Sequence, residues 1–362
     1  MEHAAIALVI FALTAVLSAA LVSRTIVLSR RLGLLDQPGP RRVHLAPLPR
    51  AGGIAVFLAF VFGVTLSFSF DVERIGSEPE RLVLLLGGSC LTVGFMVYDD
   101  AMGIRSWVKL LVQIGVAGLV VLPRLRGEDH GIVLDSFNLP RAGQVTLPLA
   151  VAIGFTLFWI VGMMNTVNWL DGLDGLAASV TLVACAVLFA HTYFWPRDDP
   201  QFTISILPLA LGAAVLGFLP FNWHPSKIIL GDAGANFLGF ALAILAIIGG
   251  AKIATALLAL GLPVLDVAWV IFYRASHGRS PLVADRGHLH HRLLDRGWSQ
   301  AQIVLFVAGV SAVFGLLALV LPTRGLKLSA IVALGLVLLS TVGGLAVSDR
   351  APGRNSDEQA KS

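Results

Sequence analysis

The sequence predicts an all-α, polytopic transmembrane helical bundle of about eleven spans, and three observations carry that prediction. Only 13% of the 362 residues are charged while 56% are hydrophobic, against about 25% charged in an ordinary soluble domain. Apolar stretches of about 20 residues recur from one end to the other, each long enough to cross about 30 Å of hydrocarbon as a helix. The connections between them are mostly short, which leaves one integral membrane domain over residues 1–349 and a polar tail, 350–362, without apolar periodicity, expected to be disordered.

The first span, Ala4 to Val22, exceeds a signal-peptide core and follows Met1-Glu2-His3, which lacks the positive start of an export signal, so it is kept as a permanent span. The next are Gly52 to Phe70, Leu82 to Val97, Val108 to Leu122, Leu147 to Met164 and Leu176 to Phe194. Phe202 to Leu219, Phe237 to Gly250, Ile253 to Phe272, Ile303 to Leu321 and Leu328 to Val347 complete the set. Between the fourth and fifth, the alternating run Ile132 to Phe137 reads as part of a small hairpin. Cys90 and Cys185 both fall in apolar text and read as small buried side chains.

An odd number of spans separates the termini, and the positive-inside rule then sets the direction. With the C-terminus inside, cytoplasmic loops collect Arg24, Arg30, Arg31, Arg41, Arg42 and Arg50, then Arg105 and Lys109, then Lys227, and finally Arg274, Arg279, Arg286, Arg292 and Arg296. The outer loops are diluted by Asp71, Glu73, Glu78, Glu80, Glu128, Asp129, Asp198 and Asp199. The N-terminus is therefore expected outside.

Four polar clusters interrupt the apolar text, and this topology, chosen from Arg and Lys, puts all four on the cytoplasmic side. The first is Tyr98-Asp99-Asp100, followed by Arg105 and Lys109; paired carboxylates at a membrane boundary are tolerable where one faces a cation, and Mg²⁺ takes one or two carboxylates plus substrate phosphates. The second sets Asn165, Asn168, Asp171 and Asp174 three residues apart, which keeps them on one slowly rotating helical face. A cap on the sixth span accounts for one of those aspartates but not for the asparagines.

The third cluster runs from Asn222 and His224 through Lys227 to Gly231-Asp232-Ala-Gly234-Ala-Asn236, small residues that expose backbone N–H groups to an anion beside a cation-binding aspartate. The fourth, Asp285-Arg286-Gly-His288-Leu-His290-His291-Arg292, is an anion site, since imidazolium and guanidinium groups donate charge-assisted hydrogen bonds to phosphate oxygens. Zinc is the rival ligand, but no Cys is near and the histidines are too closely spaced for a structural zinc site. Asp266 stands alone inside the ninth span, either structural or lining the site. The first inner loop carries His44 and Arg50, whose bases meet either lipid head groups or a substrate phosphate.

These clusters, in this order, resemble the polyprenyl-phosphate N-acetylhexosamine-1-phosphate transferases. The likeness covers nearly the whole chain and rests on Pro49-Arg50-Ala51-Gly52-Gly53, Asp99-Asp100, Asn168 to Leu176, Gly231-Asp232-Ala-Gly234, and Asp285-Arg286 before His288-Leu-His290-His291. The resemblance implies a bacterial cytoplasmic-membrane enzyme with its active site facing the cytoplasm, a UDP-HexNAc donor, undecaprenyl phosphate as acceptor, and Mg²⁺, or Mn²⁺ in its place, as cofactor. UMP would be released. It implies partners that are membrane lipid and these two substrates, with no nucleic acid, and it admits a homodimer.

His-x-His-His is similar to the branch loading N-acetylglucosamine phosphate for surface glycans; the branch that transfers phospho-MurNAc-pentapeptide shows three consecutive histidines, absent here. Carried over, Asp99 and Asp100 lie by metal and lipid phosphate, with Asp99 expected to orient or deprotonate the latter. Asp100 and Asp232 become metal ligands, and Asp171 and Asp174 complete the acidic site. His44, Arg50, Lys109, Asn165, Asn168, Asn222, Arg286, His288, His290 and His291 contact substrate. Ile229 stands where some relatives have an aromatic residue. A secondary transporter is the rival class, though transporters gather functional acids near the midplane, and here only Asp266 lies inside a span. Direct attack on phosphorus and an aspartyl-phosphate intermediate are both open at this point.

Overall fold

A computed structural model describes residues 2–39, 46–74, 76–139, 143–194, 201–249, 253–276, 278, 288–321 and 323–348. Its helices are α1 (Glu2–Leu32), α2 (Gly52–Leu66), α3 (Glu78–Met102), α4 (Ser106–Val121), α5 (Leu149–Leu170), α6 (Leu176–Phe194) and α7 (Phe202–Asn222). Then come α8 (Gly231–Ile248), α9 (Ile253–Ala259), α10 (Gly261–Ser276), the short α11 (Leu289–Leu294), α12 (Gln300–Val320) and α13 (Arg324–Ser348). Among the described residues nine helices are long and apolar enough to cross a membrane, and α9 with α10 forms a further, bent pair. The chain is an all-α polytopic membrane protein.

At the centre stands α8, almost wholly buried, packed by α2, α3, α5 and α7. Its sequence explains the position. Small residues let helix backbones approach closely, the main device by which helices associate where lipid offers no hydrophobic contrast. Gly53 at the start of α2 and Gly234 in α8 meet backbone to backbone, and a side chain on either would collide with the other. Outer helices such as α1, α4 and α12 bury only one stripe and turn the rest outward. Cys185 is buried as expected, but Cys90 is exposed on the outward face of α3, in an apolar groove between α3 and α4. An apolar sequence does not separate core from lipid-facing surface, since both environments favour the same side chains.

Three elements depart from the sequence-based expectation. The ninth span is two helices that meet at 82°. Pro263 has no N–H, and its ring excludes the carbonyl four residues back, at Ala259, where α9 ends; Gly261 adds the freedom to turn. Second, the hairpin exists but is displaced along the chain: β3 (Ser136–Leu139) pairs antiparallel with β4 (Gly143–Thr146), whereas Ile132 and Leu134 are buried ahead of it without strand pairing. Third, α8 begins six residues before the expected span, so Asp232 and Asn236 sit in its first turns rather than in a preceding loop.

The loop between α1 and α2 is closed by a two-residue ladder, β1 (Leu35–Asp36) against β2 (Leu48–Pro49). His44 and the bases Arg41 and Arg42 fall outside the described residues, as do Asp198, Asp199, Arg279, Asp285, Arg286 and the tail.

Candidate active site

The site begins with backbone pairing. Ile229 donates its N–H to the Pro49 carbonyl at 2.9 Å, while Gly52 and Gly53 donate to the carbonyls of Ile229 and Leu230 at 3.1 and 2.9 Å. This holds Arg50 over the first turn of α8. Its Nε lies 2.9 Å from Asp100 Oδ1, its Nη2 3.2 Å from Asp232 Oδ2 and its Nη1 3.5 Å from Asp36 Oδ1. Burial alone would lower the pKa of this guanidinium, but the charges of Asp100, Asp232, Asp36 and Asp99 outweigh it and the net shift is upward.

Asp100 closes the end of α8: its two oxygens accept the backbone N–H groups of Asp232 and Ala233 at 3.0 and 3.2 Å. A carboxylate there satisfies two otherwise unpaired donors and complements the positive end of the helix dipole. Gly231 makes this fit possible, since it adopts φ +72° and a Cβ on it would press on the Asp100 carboxylate. Asp99 is only 2% exposed; it accepts the Ile104 N–H at 2.7 Å and pairs with Lys109. Both aspartates thus stand behind the cavity rather than in it.

Asp232 is the carboxylate presented to the open space. It is 18% exposed, and it accepts hydrogen bonds from Lys109 Nζ and Asn168 Nδ2, each at 2.8 Å. Below it runs a chain of amides that sequence reasoning missed in part. Asn165 donates to Gln113 Oε1 at 2.8 Å, Gln113 donates to Asn236 Oδ1 at 2.7 Å, and Asn236 donates to the Asp232 carbonyl at 2.9 Å. Asn236 belongs to the third polar cluster, whereas Gln113 was passed over although it is a polar residue in the middle of the apolar α4, a signal that was available in the sequence.

These groups line a cavity of about 450 Å³, whose other wall is built from Trp169, Asp171, Arg274, His288, His290 and His291. Arg50, Lys109, Asn165, Asn168 and Asp232 complete it, so residues as far apart in the chain as Arg50 and His291 share one space. His290 packs on Gly172, leaving no room for a side chain there. Burial first, then the neighbouring His291 and His288, holds the His290 pKa well below the ordinary histidine value, which keeps its ring neutral. His288 Nδ1 lies 2.9 Å from Asp266 Oδ2.

Two predicted members lie elsewhere. Asp174 accepts from the Ser226 N–H and hydroxyl at 3.2 and 2.8 Å and contacts His224 Nδ1 at 2.7 Å, so it staples the loop before α8. Asn222 is buried and bridges the Gly175 N–H and the Ile228 carbonyl. Their three-residue spacing from the true lining residues continues past the end of α5, where the chain turns and the helical face no longer exists. His44 and Arg286 fall outside the described residues.

The donor set suits a hard divalent cation shared with a ligand. Among the described residues no three Asp, Glu, His or Cys side chains form a metal cage, and Mg²⁺ asks for one or two carboxylates with phosphates and water supplying the rest. Asp36, Asp99, Asp100 and Asp232, when ionised, outweigh Arg50 and Lys109 by two charges, the charge of one such ion. Asp232 and Asp171 are the carboxylates lining the cavity that could hold such an ion.

The sequence model of glycosyl transferase family 4 matches residues 82–250. The chain is 30% identical over 349 residues to the probable undecaprenyl-phosphate N-acetylglucosaminyl 1-phosphate transferase of Bacillus subtilis (strain 168), covering 93% of this chain and 90% of that one. It is 32% identical over 346 residues to the decaprenyl-phosphate N-acetylglucosaminephosphotransferase of Mycobacterium tuberculosis (strain ATCC 25618 / H37Rv), covering 86% and 83%. To the undecaprenyl-phosphate alpha-N-acetylglucosaminyl 1-phosphate transferase of Escherichia coli (strain K12) it is 26% identical over 304 residues, covering 80% and 78%.

Proposed function

Because the chain belongs to glycosyl transferase family 4, among the polyprenyl-phosphate N-acetylhexosamine-1-phosphate transferases, we propose that it transfers N-acetylglucosamine 1-phosphate from UDP-N-acetylglucosamine to undecaprenyl phosphate. A lipid-phosphate oxygen forms a bond to the sugar-bearing phosphorus as the bond to UMP breaks, so UMP leaves and a sugar diphosphate-lipid remains. The observation that carries this reading is that Asp232, with Lys109, Arg50 and Asn168 around it, shares one cavity with His288, His290 and His291.

Phosphoryl transfer of this kind needs positioning and charge stabilisation more than covalent help. Lys109 and Arg50 offer positive charge to incoming phosphates, and Asn168 fixes the Asp232 carboxylate. Asp99, buried behind Lys109, holds that ammonium in place instead of touching the lipid phosphate. This revises the role expected for it and favours direct attack, since Asp99 and Asp100 are both engaged away from the cavity. Asp232 would hold Mg²⁺, which when bound neutralises charge on the diphosphate. Asp171 is the second carboxylate lining the cavity.

The side of the membrane follows from charge placement. Arg50, Lys109 and Arg274 all lie at the cavity end of the bundle, and bases gather on the cytoplasmic side; the cavity therefore opens to the cytoplasm, where nucleotide-sugars are found. Purified protein given Mg²⁺, UDP-N-acetylglucosamine and undecaprenyl phosphate should release UMP, and chelation should stop it until Mg²⁺ is restored. No UMP release under those conditions would overturn the proposal. A phospho-enzyme trapped without lipid acceptor would overturn direct attack.

A further inference from the structure

Asp266 is a lone carboxylate in α10 that the reading above does not use. It is 8% exposed, and both of its oxygens are engaged by one segment: Oδ2 with His288 Nδ1 at 2.9 Å and Oδ1 with the backbone N–H of Leu289 at 2.9 Å. An ionised carboxylate only accepts hydrogen bonds, so a proton must reside on His288 Nδ1. The ring is fixed further by its neighbours, lying near-parallel to His290 with centroids 5.7 Å apart and tilted against Trp169 at 5.6 Å. His288 lines the cavity, and with Nδ1 committed, Nε2 is the nitrogen left for a ligand.

The three histidines are therefore not equivalent. His290 is buried and held neutral, as described above. His288 has the Asp266 carboxylate behind its ring. A carboxylate there fixes the tautomer and orientation of the imidazole, and balances charge when both ring nitrogens carry protons.

We propose that Asp266 is a positioning residue: it locks His288 with Nδ1–H turned inward and Nε2 toward the cavity, so that His288 donates from Nε2 to a diphosphate oxygen of the nucleotide-sugar when that nitrogen also carries a proton, as an imidazolium balanced by Asp266. The catalytic part rests on the transferase reading, whereas the proton placement does not.

The test uses the full chain in detergent with ¹⁵N-labelled histidine, at a pH about two units above the ordinary histidine value of ~6.5 so that free imidazoles are neutral. Two-bond nitrogen–proton correlations show which ring nitrogen holds the proton, and loss of one spin system in His288→Gln assigns it. The expected wild-type result is the Nδ1–H form at His288, the reverse of the preference of free imidazole. Asp266→Asn should disturb it, because an amide accepts from one of the two donors but turns an NH₂ toward the other. An Nε2–H form in the wild-type protein would overturn the proposal.

Kinetics supply the second readout. Asp266→Asn should lower kcat about 10- to 100-fold, the usual loss when the partner orienting a functional histidine is removed, with KM for the lipid acceptor unchanged. Combined with His288→Gln it should cost no more than His288→Gln alone, since Asp266 then has nothing to orient. Losses that multiply would mark a separate structural role and overturn the idea. Should wild-type protein release no UMP, the transferase reading fails by itself, and the nitrogen spectrum still decides the Asp266–His288 pairing. The wild-type spectrum decides it as well if Asp266→Asn does not fold.

Discussion

Gly53 and Gly234 touch backbone to backbone where α2 and α8 begin, and that contact sets the height of Arg50 over Asp232. A methyl group at position 53 would collide with Gly234, and backbone on both sides leaves little to yield. Gly53→Ala should therefore cost about 1–3 kcal/mol of stability, the usual penalty for overpacking, and should reduce turnover further by lifting Arg50 from the site. Detergent-solubilised unfolding curves and UMP release measure the two effects. A variant that matched wild type in both would show that the helix contact is not tight.

Asp232→Asn should lower turnover by at least about 100-fold, the scale seen when one charge-stabilising group is removed from a site, with a smaller loss of stability than a buried cap would show, because Asp232 is partly open to the cavity and its donors can turn to water. Asp100→Asn should behave differently. Its amide would face two backbone N–H donors and a guanidinium with an NH₂ group, so thermal stability should fall together with activity. Equal stability losses in the two variants would contradict the division between a presented carboxylate and a capping one.

Asp171 and Asp174 test the same division at the end of α5. Asp171→Asn should reduce turnover with little change in melting temperature, because its residue lines the cavity. Asp174→Ala removes the contacts to His224 and Ser226, and each hydrogen bond to a carboxylate is worth about 1.5–3 kcal/mol at most. Its main effect should be on stability. The reverse ranking in paired melting and activity assays would count against the geometry.

His290 carries a pH prediction. Its pKa in the folded protein lies well below the ordinary value of 6.5, so above that value neither folded nor unfolded chain is protonated there and the residue contributes nothing. As pH falls through 6.5 the unfolded chain binds a proton that the folded one refuses, and stability drops by up to about 1.4 kcal/mol per pH unit. Melting temperature should fall from about pH 7.5 to about pH 5.5, and His290→Gln should remove that part of the slope. An unchanged slope in the variant would locate the proton uptake elsewhere.

The site was largely legible because charge in an apolar chain is conspicuous: Arg50, Lys109, Asn168, Asp232 and the histidines announced themselves against the hydrophobic text. What stayed hidden depended on geometry. Asp99 and Asp174 have the same side chain as Asp232, and only packing decides which of the three meets the cavity. Gln113 looks like an isolated polar residue until α4 and α8 bring it within 2.7 Å of Asn236. The partner of His288 was equally unreadable, since Asp266 lies 22 positions away in α10. For the fold, hydropathy located the helices well. It missed the break after Ala259 because α7 runs through Pro208 and Pro220 without one, so proline alone does not dictate a bend.

That break carries a cost which falls on a distant part of the chain. Where α9 gives way to α10 the helical hydrogen-bond ladder is interrupted, and peptide groups left unsatisfied and facing hydrocarbon would cost several kcal/mol each. α13 packs over both halves, with Leu334 pressed on Gly261. A helix with no residue in the cavity thus shelters the bend that aims Asp266 and Arg274 inward and makes the hinge tolerable in lipid.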